Sequence, residues 1–596
     1  MSCLSLWCLW LISTFQLVSA TASTAKTTTT ANSKTSFSKE DPFPVLTVGK
    51  DVNGNYYVNS TFGTPGQLQR LEVDIVQPYL NVASGTNDSR SKFSDVCNSH
   101  PSYFANESTS SVPVSPGQIY EFSFVDGRAV NCTLITDDMN FTDISSENSS
   151  GTLVTELLKT RGNVQFNSGS LSISNVSFFS VESSNFKTSG LLGLSGKITN
   201  PGSAADSSHY TEQSYFLSLL KDVNLIESPS YSLWLAGDTS TYQTHRDPIY
   251  NCGKLLLGGV DPSLFTGTLG KFDLIPYVDP VSSAVSTGYP IVPLGPIYIV
   301  SNSGQSLNMT SKDFLSPALL DSTSSVSYLP TNTIIQIAVQ IAATYVESLD
   351  RWLVQCSMAN MGVSLGFTLR ELVIEIPLRD LLSSTYDTST NSSMFFSSGQ
   401  EACFLTLYAN TNTGLNILGE AFMKNIYMAM DLEDNTIAIA QAKKIEDDAV
   451  NDDANETNAS TVIKKIKSGY IPYARMMNSS STRNLTLYPS HRSGYMLTVP
   501  GQLTAAYSNG VITGAGRSFY DTSRTTTSPR TSSSQFDSFS VSASEELSNT
   551  SNRTSSASGA GIRLSNPYTL HDSPAGFVTR AASLLLLSTC LILILF

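Results

Sequence analysis

The stretch ALLDSTSSVSYLP, residues 318–330, is an apolar run that ends on an aspartate and continues into four small hydroxylated residues. In one interpretation, Asp321 and the serines after it open a turn or cap a helix beginning near Pro330, because Asp and Ser side chains satisfy free backbone N–H groups there. In the other, a buried strand carries the carboxylate into a cleft, and the small residues leave room around it. The second interpretation requires another aspartate in a similar setting.

A matching aspartate occurs in the first half of the chain. Residues 62–84, FGTPGQLQRLEVDIVQPYLNVAS, contain an alternating apolar and polar strand that ends on Asp74. Well downstream of each acid comes an apolar-apolar-glycine run, Leu-Leu-Gly at residues 191–193 and Ile-Leu-Gly at residues 417–419. The same features recur in the same order, which indicates an internal duplication with two lobes.

The region between residues 41 and 444 has the pattern of a mostly β protein. Short apolar runs alternate there with Gly, Asn, Asp, Ser and Pro. Residues 332–349, NTIIQIAVQIAATYVESL, carry apolar residues at helical three-to-four spacing, so we expect a helix over this stretch. A region of this length exceeds one compact core and fits two domains.

Both ends of the chain carry targeting signals. Residues 1–20 form an uncharged apolar segment that closes on the small-x-small pattern of a cleaved signal peptide. An apolar tail follows Arg580, with small residues and a polar spacer before it, which is the arrangement of a GPI-attachment signal; a tail-anchored span is the alternative. The candidate attachment residues are Gly559, Asp572 and Ser573. These signals predict a cell-surface protein, GPI-anchored at the plasma membrane, in the cell wall, or both.

The segments that flank the central region are rich in Ser and Thr. Residues 21–40 are nearly free of large apolar side chains, so we expect a leader or pro-segment. Residues 445–572 combine an acidic patch, a basic segment and a long tract of Ser, Thr and Asn, which we expect to form a disordered, glycosylated stalk. Residues 573–596 form the predicted GPI-attachment signal. Lys443 and Lys444 are either a clip site before the stalk or a solvated charge pair.

Three of the eight cysteines leave with the two terminal signals. In an oxidising compartment we expect the sequence-local pairs Cys97–Cys132 and Cys356–Cys403, which leaves Cys252 over. The chain has no CxxC or HExxH motif and its histidines are scattered, so we expect no metal site.

The chain contains fifteen N-x-[ST] sequons, whose density suggests heavy N-glycosylation and contact with cell-wall glycans. They begin at Asn59, Asn87, Asn106, Asn131, Asn140, Asn148, Asn175, Asn308, Asn391, Asn455, Asn458, Asn478, Asn484, Asn549 and Asn552. The formal net charge of −14 argues against a nucleic-acid partner, because phosphate binding draws on clustered Lys and Arg.

Several of these segments together resemble the pepsin-like aspartic proteases. The resemblance spans residues 55–442 and rests on YYVNSTFGTPGQ, both acid-bearing strands and SGLLGLSG. The most specific segments are residues 253–269, GKLLLGGVDPSLFTGTL, and residues 416–440, NILGEAFMKNIYMAMDLEDNTIAIA. With the terminal signals and the stalk, the chain is most similar to the yapsins, the GPI-anchored surface proteases of yeast.

The resemblance implies a bilobal, mostly β pepsin-like fold with few short helices and with lobes at residues 41–200 and 201–444. It also implies that Asp74 and Asp321 face each other across a cleft and share one proton, the behaviour for which aspartic proteases are the standard example. The pair would hydrolyse polypeptide substrates through an activated water, without a cofactor, in a protein expected to be monomeric. The yapsin group further suggests cleavage at basic residues.

The family covers its cleft with a β-hairpin flap, which corresponds here to residues 120–130, YEFSFVDGRAV. Phe124 occupies the position where the family usually has tyrosine, so the ring can close the pocket but cannot donate a phenolic hydrogen bond. Asp126 and Gly127 form the expected turn.

Neither copy of the family motif Asp-[Thr/Ser]-Gly-[Ser/Thr] is intact in this chain. After Asp321, the hydroxyls of Ser322 and Ser324 remain to support the pair, but a threonine, Thr323, replaces the glycine. After Asp74 come Ile, Val and Gln, so bracing across the lobes is expected from Ser322 alone. Three hypotheses follow: an unusual endoprotease, a pseudoprotease whose cleft binds peptides, or a structural cell-wall mannoprotein.

Overall fold

The computed structural model describes residues 42–51, 54–85, 102–123, 129–147, 159–167, 169–182, 190–196, 215–237, 249–279, 283, 285–386, 392–411, 413–444, 462–478, 485–489 and 499–514. All of them belong to one compact unit, Glu40–Phe596. The predicted signal peptide, leader and GPI-attachment signal, with the candidate attachment residues Gly559, Asp572 and Ser573, lie outside the described residues. None of the helices within the described ranges is long and apolar enough to cross a membrane.

The first part of the chain is built mainly of strands. They are β1 (Phe43–Lys50), β2 (Tyr56–Phe62), β3 (Gln67–Asp74), β4 (Asn81–Ser84), β5 (Val112–Pro113), β6 (Tyr120–Ser123), β7 (Ala129–Phe141), β8 (Ile144–Glu147), β9 (Lys159–Arg161), β10 (Val164–Phe166), β11 (Leu171–Glu182), β12 (Gly190–Gly193), β13 (Ser230–Trp234), β14 (Ile249–Leu257), β15 (Gly259–Val260), β16 (Phe265–Asp273), β17 (Tyr277–Val278) and β18 (Val285–Ser286). Among the described residues of this part, the helix Phe216–Asp222 and the 3₁₀ turns Ala105–Glu107 and Pro262–Leu264 lie between the strands.

The second part continues the β pattern. Its strands are β19 (Ile291–Leu294), β20 (Ile297–Val300), β21 (Ser306–Asn308), β22 (Ser316–Leu320), β23 (Ser327–Leu329), β24 (Thr344–Val346), β25 (Arg351–Gln355), β26 (Ser364–Leu369), β27 (Leu372–Pro377), β28 (Leu382–Ser384), β29 (Phe395–Phe396), β30 (Ala402–Leu405), β31 (Leu407–Ala409), β32 (Asn416–Leu418), β33 (Ile426–Asp431) and β34 (Thr436–Ala442). Its helices are Thr331–Gln340 and Glu420–Met423, and its 3₁₀ turns are Glu347–Leu349, Cys356–Asn360 and Leu378–Leu381. The fold is mostly β, as expected.

The predicted duplication corresponds to a repeated pairing of strands. In the first half, β12 runs parallel to β3 and places Gly193 opposite Asp74. In the second half, β32 runs parallel to β22 and places Leu418 opposite Leu320, the residue before Asp321. Each apolar-apolar-glycine run therefore lies beside the strand that ends on the acid.

One large sheet joins both halves of the chain. Strand β1 pairs with β14, β13 pairs with β33, and β16 pairs with β34. Consequently β13, β14 and β16, which follow residue 200, belong to the same sheet as β2 and β3, and the separate sheets of the second half begin at β19. The large sheet also includes β33 and β34, so strand pairing alone does not divide the chain into the two implied lobes.

The predicted helix over residues 332–349 is only half correct. The helix Thr331–Gln340 ends before Ala342, which adopts a left-handed φ of 56°. Thr344–Val346 form β24, where Tyr345 pairs with Trp352 of β25, and Glu347–Leu349 form a 3₁₀ turn. The β-branched and aromatic residues of Thr344–Val346 favour a strand, and neighbouring strands supply the partners that a helical pattern cannot reveal.

The predicted stalk contains segments that pack on the body of the protein. Within residues 445–572 lie β35 (Lys464–Lys465), β36 (Ala474–Met476), β37 (Thr504–Ser508), β38 (Val511–Gly514) and the 3₁₀ turn Gly501–Leu503. Strand β36 runs parallel to β16, and β37 runs parallel to β24. The prediction of a disordered spacer from residue 445 is therefore wrong for residues 462–478 and 499–514, because their few apolar residues find partners far away in sequence.

Candidate active site

Asp74 is held in a tight turn at the end of β3. Leu71 and Val73 of that strand are buried in the core, and Asp74 itself is buried. Its Oδ1 accepts hydrogen bonds from the backbone N–H groups of Val76 at 2.8 Å and Gln77 at 2.9 Å. The carboxylate therefore organises the turn that presents it.

Asp321 has the corresponding position after β22. Its Oδ1 accepts from the N–H of Thr323 at 2.9 Å and of Ser324 at 3.2 Å. The helix that starts at Thr331 has no side-chain cap, so Asp321 opens a turn but caps no helix. The two interpretations of residues 318–330 are compatible, since a carboxylate can order its own turn and still face a cleft.

Glycine at the end of each apolar-apolar-glycine run lets the neighbouring loop approach closely. A Cβ at Gly193 would lie 2.4 Å from the carbonyl oxygen of Tyr79, and one at Gly419 would lie 2.2 Å from that of Val326. Both distances are shorter than any real Cβ contact. Glycine is required at both positions because the loops around the two acids pack directly against them.

The hydroxyl of Ser322 joins the two aspartate turns. Ser322 Oγ donates to the carbonyl oxygen of Val73 at 2.6 Å and accepts from the N–H of Ile75 at 3.2 Å. These two residues flank Asp74, and Ser322 follows Asp321, so the acid-bearing turns meet at this point. Ile75 is fully buried and has no hydroxyl, so it cannot make the reciprocal hydrogen bond to the turn of Asp321.

The threonine that replaces the motif glycine contributes a donor that sequence reasoning missed. Thr323 Oγ1 donates to Asp321 Oδ1 at 2.8 Å. From the sequence, Thr323 was identified only as the residue that replaces the motif glycine. In an Asx turn the aspartate accepts from the backbone N–H two residues on, which brings the side chain of that residue near the carboxylate, so the local sequence could have suggested the bond. Ser324, by contrast, directs its hydroxyl to the carbonyl oxygen of Val326 at 2.8 Å and reaches the carboxylate only through its N–H.

Residues 288–290 connect the surroundings of both acids, a role that the sequence did not reveal. The carbonyl oxygen of Gly288 accepts from Ser195 Oγ at 2.7 Å, and that of Pro290 accepts from the N–H of Leu320 at 3.0 Å. Between them, Tyr289 is buried, and this burial raises the pKa of its phenol, with smaller contributions from Tyr277, Asp279 and Asp74. Tyr289 therefore stays neutral at acidic and neutral pH.

Comparison with known proteins agrees with this geometry. The family model described as eukaryotic aspartyl protease matches residues 55–442. The chain is 83% identical to aspartic proteinase yapsin-7 of Saccharomyces cerevisiae over 594 residues, which cover 100% of both chains. It is 26% identical to the probable aspartic-type endopeptidase opsB of Aspergillus oryzae over 65% of this chain and 68% of that one.

The chain belongs to the eukaryotic aspartyl proteases. The resemblance to the pepsin-like proteases and to the yapsin group, yapsin-7 included, is confirmed. A more distant relative is secreted aspartic protease 7 of Candida albicans, 29% identical over 48% of both chains. Members of this family are hydrolases of the aspartic type, and so is this chain.

The described part of this aspartyl protease includes only the arms of the predicted flap. In the hairpin of β6 and β7, Phe122 pairs with Val130 and Ser123 pairs with Ala129. The expected flap residues Phe124, Asp126 and Gly127 lie outside the described residues.

One predicted disulfide of this aspartyl protease is confirmed and the other is not formed. Cys356 and Cys403 are bonded. Cys132 has a free buried thiol that donates to the carbonyl oxygen of Tyr120 at 3.4 Å, while Cys97 lies outside the described residues. Burial raises the pKa of the Cys132 thiol to about 12, which keeps it protonated and unreactive. Cys252 is buried and donates to the carbonyl oxygen of Val48 at 3.5 Å.

The sequons of this aspartyl protease differ in exposure. The asparagines that are exposed are Asn106, Asn131, Asn175, Asn308 and Asn478, and those that are half-buried are Asn59 and Asn140. The others, Asn87, Asn148, Asn391, Asn455, Asn458, Asn484, Asn549 and Asn552, lie outside the described residues. Within the described ranges, no group of three or more His, Cys, Asp or Glu is placed to hold a metal ion.

We expect the Thr323 hydroxyl to contribute to catalysis. Thr323→Val removes the donor to Asp321 but keeps the volume and the backbone N–H. Losing a hydrogen bond to a charged group costs about 1.5–3 kcal/mol, so kcat/KM at acid pH should fall roughly ten- to a hundredfold if the bond persists in the transition state. Thr323→Ser, which keeps the hydroxyl, is the matched control. Equal kcat/KM values for the valine variant and the wild type would contradict this role.

Proposed function

We propose that the chain is an acid endopeptidase in which Asp74 and Asp321 form the catalytic dyad. The proposal rests on the hydrogen bonds of the Ser322 hydroxyl. Ser322 directly follows Asp321 in the chain, and its hydroxyl binds Val73 and Ile75, the residues on either side of Asp74. Each acid also ends a buried strand and is fixed by N–H donors of its own turn. Two carboxyl groups brought together in this way share one proton at acidic pH.

The proposed chemistry needs only these two groups and a water. The ionised carboxylate accepts a proton from the water, whose oxygen forms a bond to the carbon of the peptide carbonyl. The protonated carboxyl donates its proton to the carbonyl oxygen, which receives the π electrons. When the tetrahedral intermediate collapses, the protonated carboxyl gives its proton to the nitrogen, the C–N bond breaks, and the ionised carboxylate takes a proton from a hydroxyl of the intermediate, so the dyad is again singly protonated.

Cleavage of acid-denatured protein by purified ectodomain between pH 3 and 6 tests this proposal. Asp74→Asn and Asp321→Asn should each lower the rate about a hundred- to ten-thousandfold, because each removes an acid–base group. Asp273→Asn, at an exposed position of β16, is the matched control and should leave the rate unchanged. Unchanged cleavage in both dyad variants would disprove the assignment. A wild type that binds peptide but never cleaves it would establish the pseudoprotease instead.

We propose a preference for Lys or Arg at the cleaved bond and a location at the cell surface. The net charge of −14 favours cationic substrates, and the yapsin group supports the same preference. Peptides that differ only in Lys or Glu at the cleaved position test the first part. Release of the full-length protein from yeast cells by a phosphatidylinositol-specific phospholipase C tests the anchor.

A further inference from the structure

The first large sheet contains a gap where three of its strands diverge. Strand β1 pairs with β8 through Phe43–Leu46 and with β2 only through Gly49 and Lys50. Further along, β2 leaves β1 and pairs with β7. A cavity of about 340 Å³ opens between them, lined by Thr47, Gly49, Tyr57, Asn59, Thr142, Asp143, Ile144 and Ser145.

The half-buried asparagine Asn59 lies at this cavity and begins the sequon Asn-Ser-Thr. Its Nδ2 donates to Asp143 Oδ2 across the gap. A primary amide has two N–H groups, so Nδ2 can carry a sugar on one bond and still donate the remaining N–H to the carboxylate. The contact with Asp143 therefore orients the amide and leaves a position for a substituent.

The lining of the cavity suits a carbohydrate. Thr47, Thr142 and Ser145 bring hydroxyl side chains, and Asp143 brings a carboxylate. These groups donate and accept hydrogen bonds, as the hydroxyl and acetamido groups of a sugar require. The volume of the cavity is within the range of about 300–1,000 Å³ that small-molecule sites have.

We propose that Asn59 carries an N-glycan whose first N-acetylglucosamine is seated in this cavity. In the transfer, the bond between sugar C1 and the phosphate of a lipid-pyrophosphate-linked oligosaccharide breaks, and a bond forms between C1 and Asn59 Nδ2. The amide loses one proton to a base of the transferase, and the lipid pyrophosphate leaves. The seated sugar fills the gap between β1, β2 and β8, whereas the glycans on exposed sequons such as Asn175 and Asn308 extend into solvent.

The proposal depends on the secretory route inferred above, and site-resolved deglycosylation of the secreted chain tests both. Native protein is digested with peptide-N-glycosidase, and each sequon is followed by mass spectrometry. The glycan at Asn59 should be retained at least about tenfold longer than those at Asn175 and Asn308, because its release requires local opening. After denaturation all of them should be released at similar rates. The proposal would be overturned if Asn175 and Asn308 carried glycans and Asn59 carried none, or if the native protein released all three glycans at the same rate. If no sequon carried a glycan, the inferred secretory route would be wrong as well.

Thermal unfolding of variants separates the sugar from the amide contact. Thr61→Ala destroys the sequon but keeps the Asn59 side chain and its bond to Asp143, and it should lower Tm by several degrees. Thr61→Ser keeps a sequon and should retain the wild-type Tm. An endoglycosidase that leaves one N-acetylglucosamine should also preserve Tm, and Asn175→Gln is the matched control for losing an exposed glycan. If Thr61→Ala unfolds at the wild-type temperature, the cavity does not hold the first N-acetylglucosamine.

Discussion

Ending the chain at Lys444 should give a protein that is several kcal/mol less stable than the ectodomain, even though the whole family match lies before that residue. Residues 462–478 bury Ile463, Ile466 and Ile471, whose side chains are at most 2% exposed. Full burial of an isoleucine contributes about 1.5–3 kcal/mol, so the loss is large against a total stability of about 5–15 kcal/mol.

Polar contacts add to this dependence on residues 462–478. The N–H of Gly469 donates to the buried Asp431 Oδ2 at 2.8 Å. The carbonyl oxygen of Gly469 accepts from Lys271 Nζ at 2.9 Å. Truncation would leave Asp431 with one fewer donor in the core and Lys271 with one fewer acceptor, which is costly because both are buried.

Urea unfolding of secreted proteins measures this effect. A chain that ends after residue 514 keeps every described segment and is the matched control, so its unfolding midpoint should equal that of the ectodomain. Point variants refine the comparison: Ile466→Ala and Ile471→Ala should each cost about 2–5 kcal/mol, whereas Tyr470→Ala should cost little, since Tyr470 is 55% exposed. An unchanged midpoint for the chain that ends at Lys444 would show that the segment is a spacer after all.

Asp380→Ala should destabilise the fold by about 3–5 kcal/mol, because it removes the centre of a buried ion cluster. Asp380 Oδ2 accepts from Asn425 Nδ2 at 2.8 Å and from Lys444 Nζ at 2.9 Å. Lys424 Nζ lies 3.4 Å from Oδ1, and the side chains of Lys424 and Asp380 are 7% and 4% exposed. The variant would leave the Lys424 ammonium buried without its carboxylate. Arg379→Ala is the matched control and should cost less than about 1 kcal/mol, since its half-exposed guanidinium lies 4.0 Å away.

The same cluster predicts how stability depends on pH. Burial alone would raise the pKa of Asp380, but the charges of Lys424 and Lys444 and the hydrogen bond from Asn425 outweigh burial and hold it below its usual value of 3.8. A carboxyl whose pKa is lower in the folded than in the unfolded state contributes stability above its unfolded pKa and loses it as the pH falls through the folded pKa.

Unfolding free energies of the wild type and Asp380→Asn should therefore differ most above about pH 4 and converge below it. Chemical unfolding from pH 2 to 7 measures this difference. A difference that stays constant down to pH 2 would contradict the role of ionised Asp380. Arg379→Ala should show no convergence of this kind.

The contacts of Lys443 and Lys444 test both interpretations of this pair. Lys444 binds Asp380, and its side chain is only 18% exposed. The N–H of Lys443 donates to the carbonyl oxygen of Leu264 at 3.0 Å, and its own carbonyl oxygen accepts from Trp234 Nε1 at 3.0 Å. A protease must bind several residues in an extended strand, so this anchored pair is not an open clip site, and the paired, mostly buried Lys444 is not a solvated charge.

The sequence by itself determined the features that depend on neighbouring residues. Alternation and strand-ending acids located Asp74 and Asp321, and the repeated apolar-apolar-glycine runs revealed the duplication. The motif also pointed to Ser322 as the one hydroxyl able to brace the acids. Such signals are readable because side-chain period, turn chemistry and motif spacing are local properties of the chain.

The tertiary structure decided what depends on contacts between distant residues. The helix near residue 340 gives way to β24 because β25 and β37 supply its partners. Residues 462–478 pack on the body of the protein because Gly469 donates to Asp431 and because Ile466 and Ile471 lie in the hydrophobic core around Trp234. Residues 288–290 join the site because Gly288 accepts from Ser195 and Pro290 accepts from the N–H of Leu320, and no local pattern in residues 288–290 predicts these bonds. A contact across hundreds of residues leaves no local pattern, since its energy comes from a surface that exists only after folding.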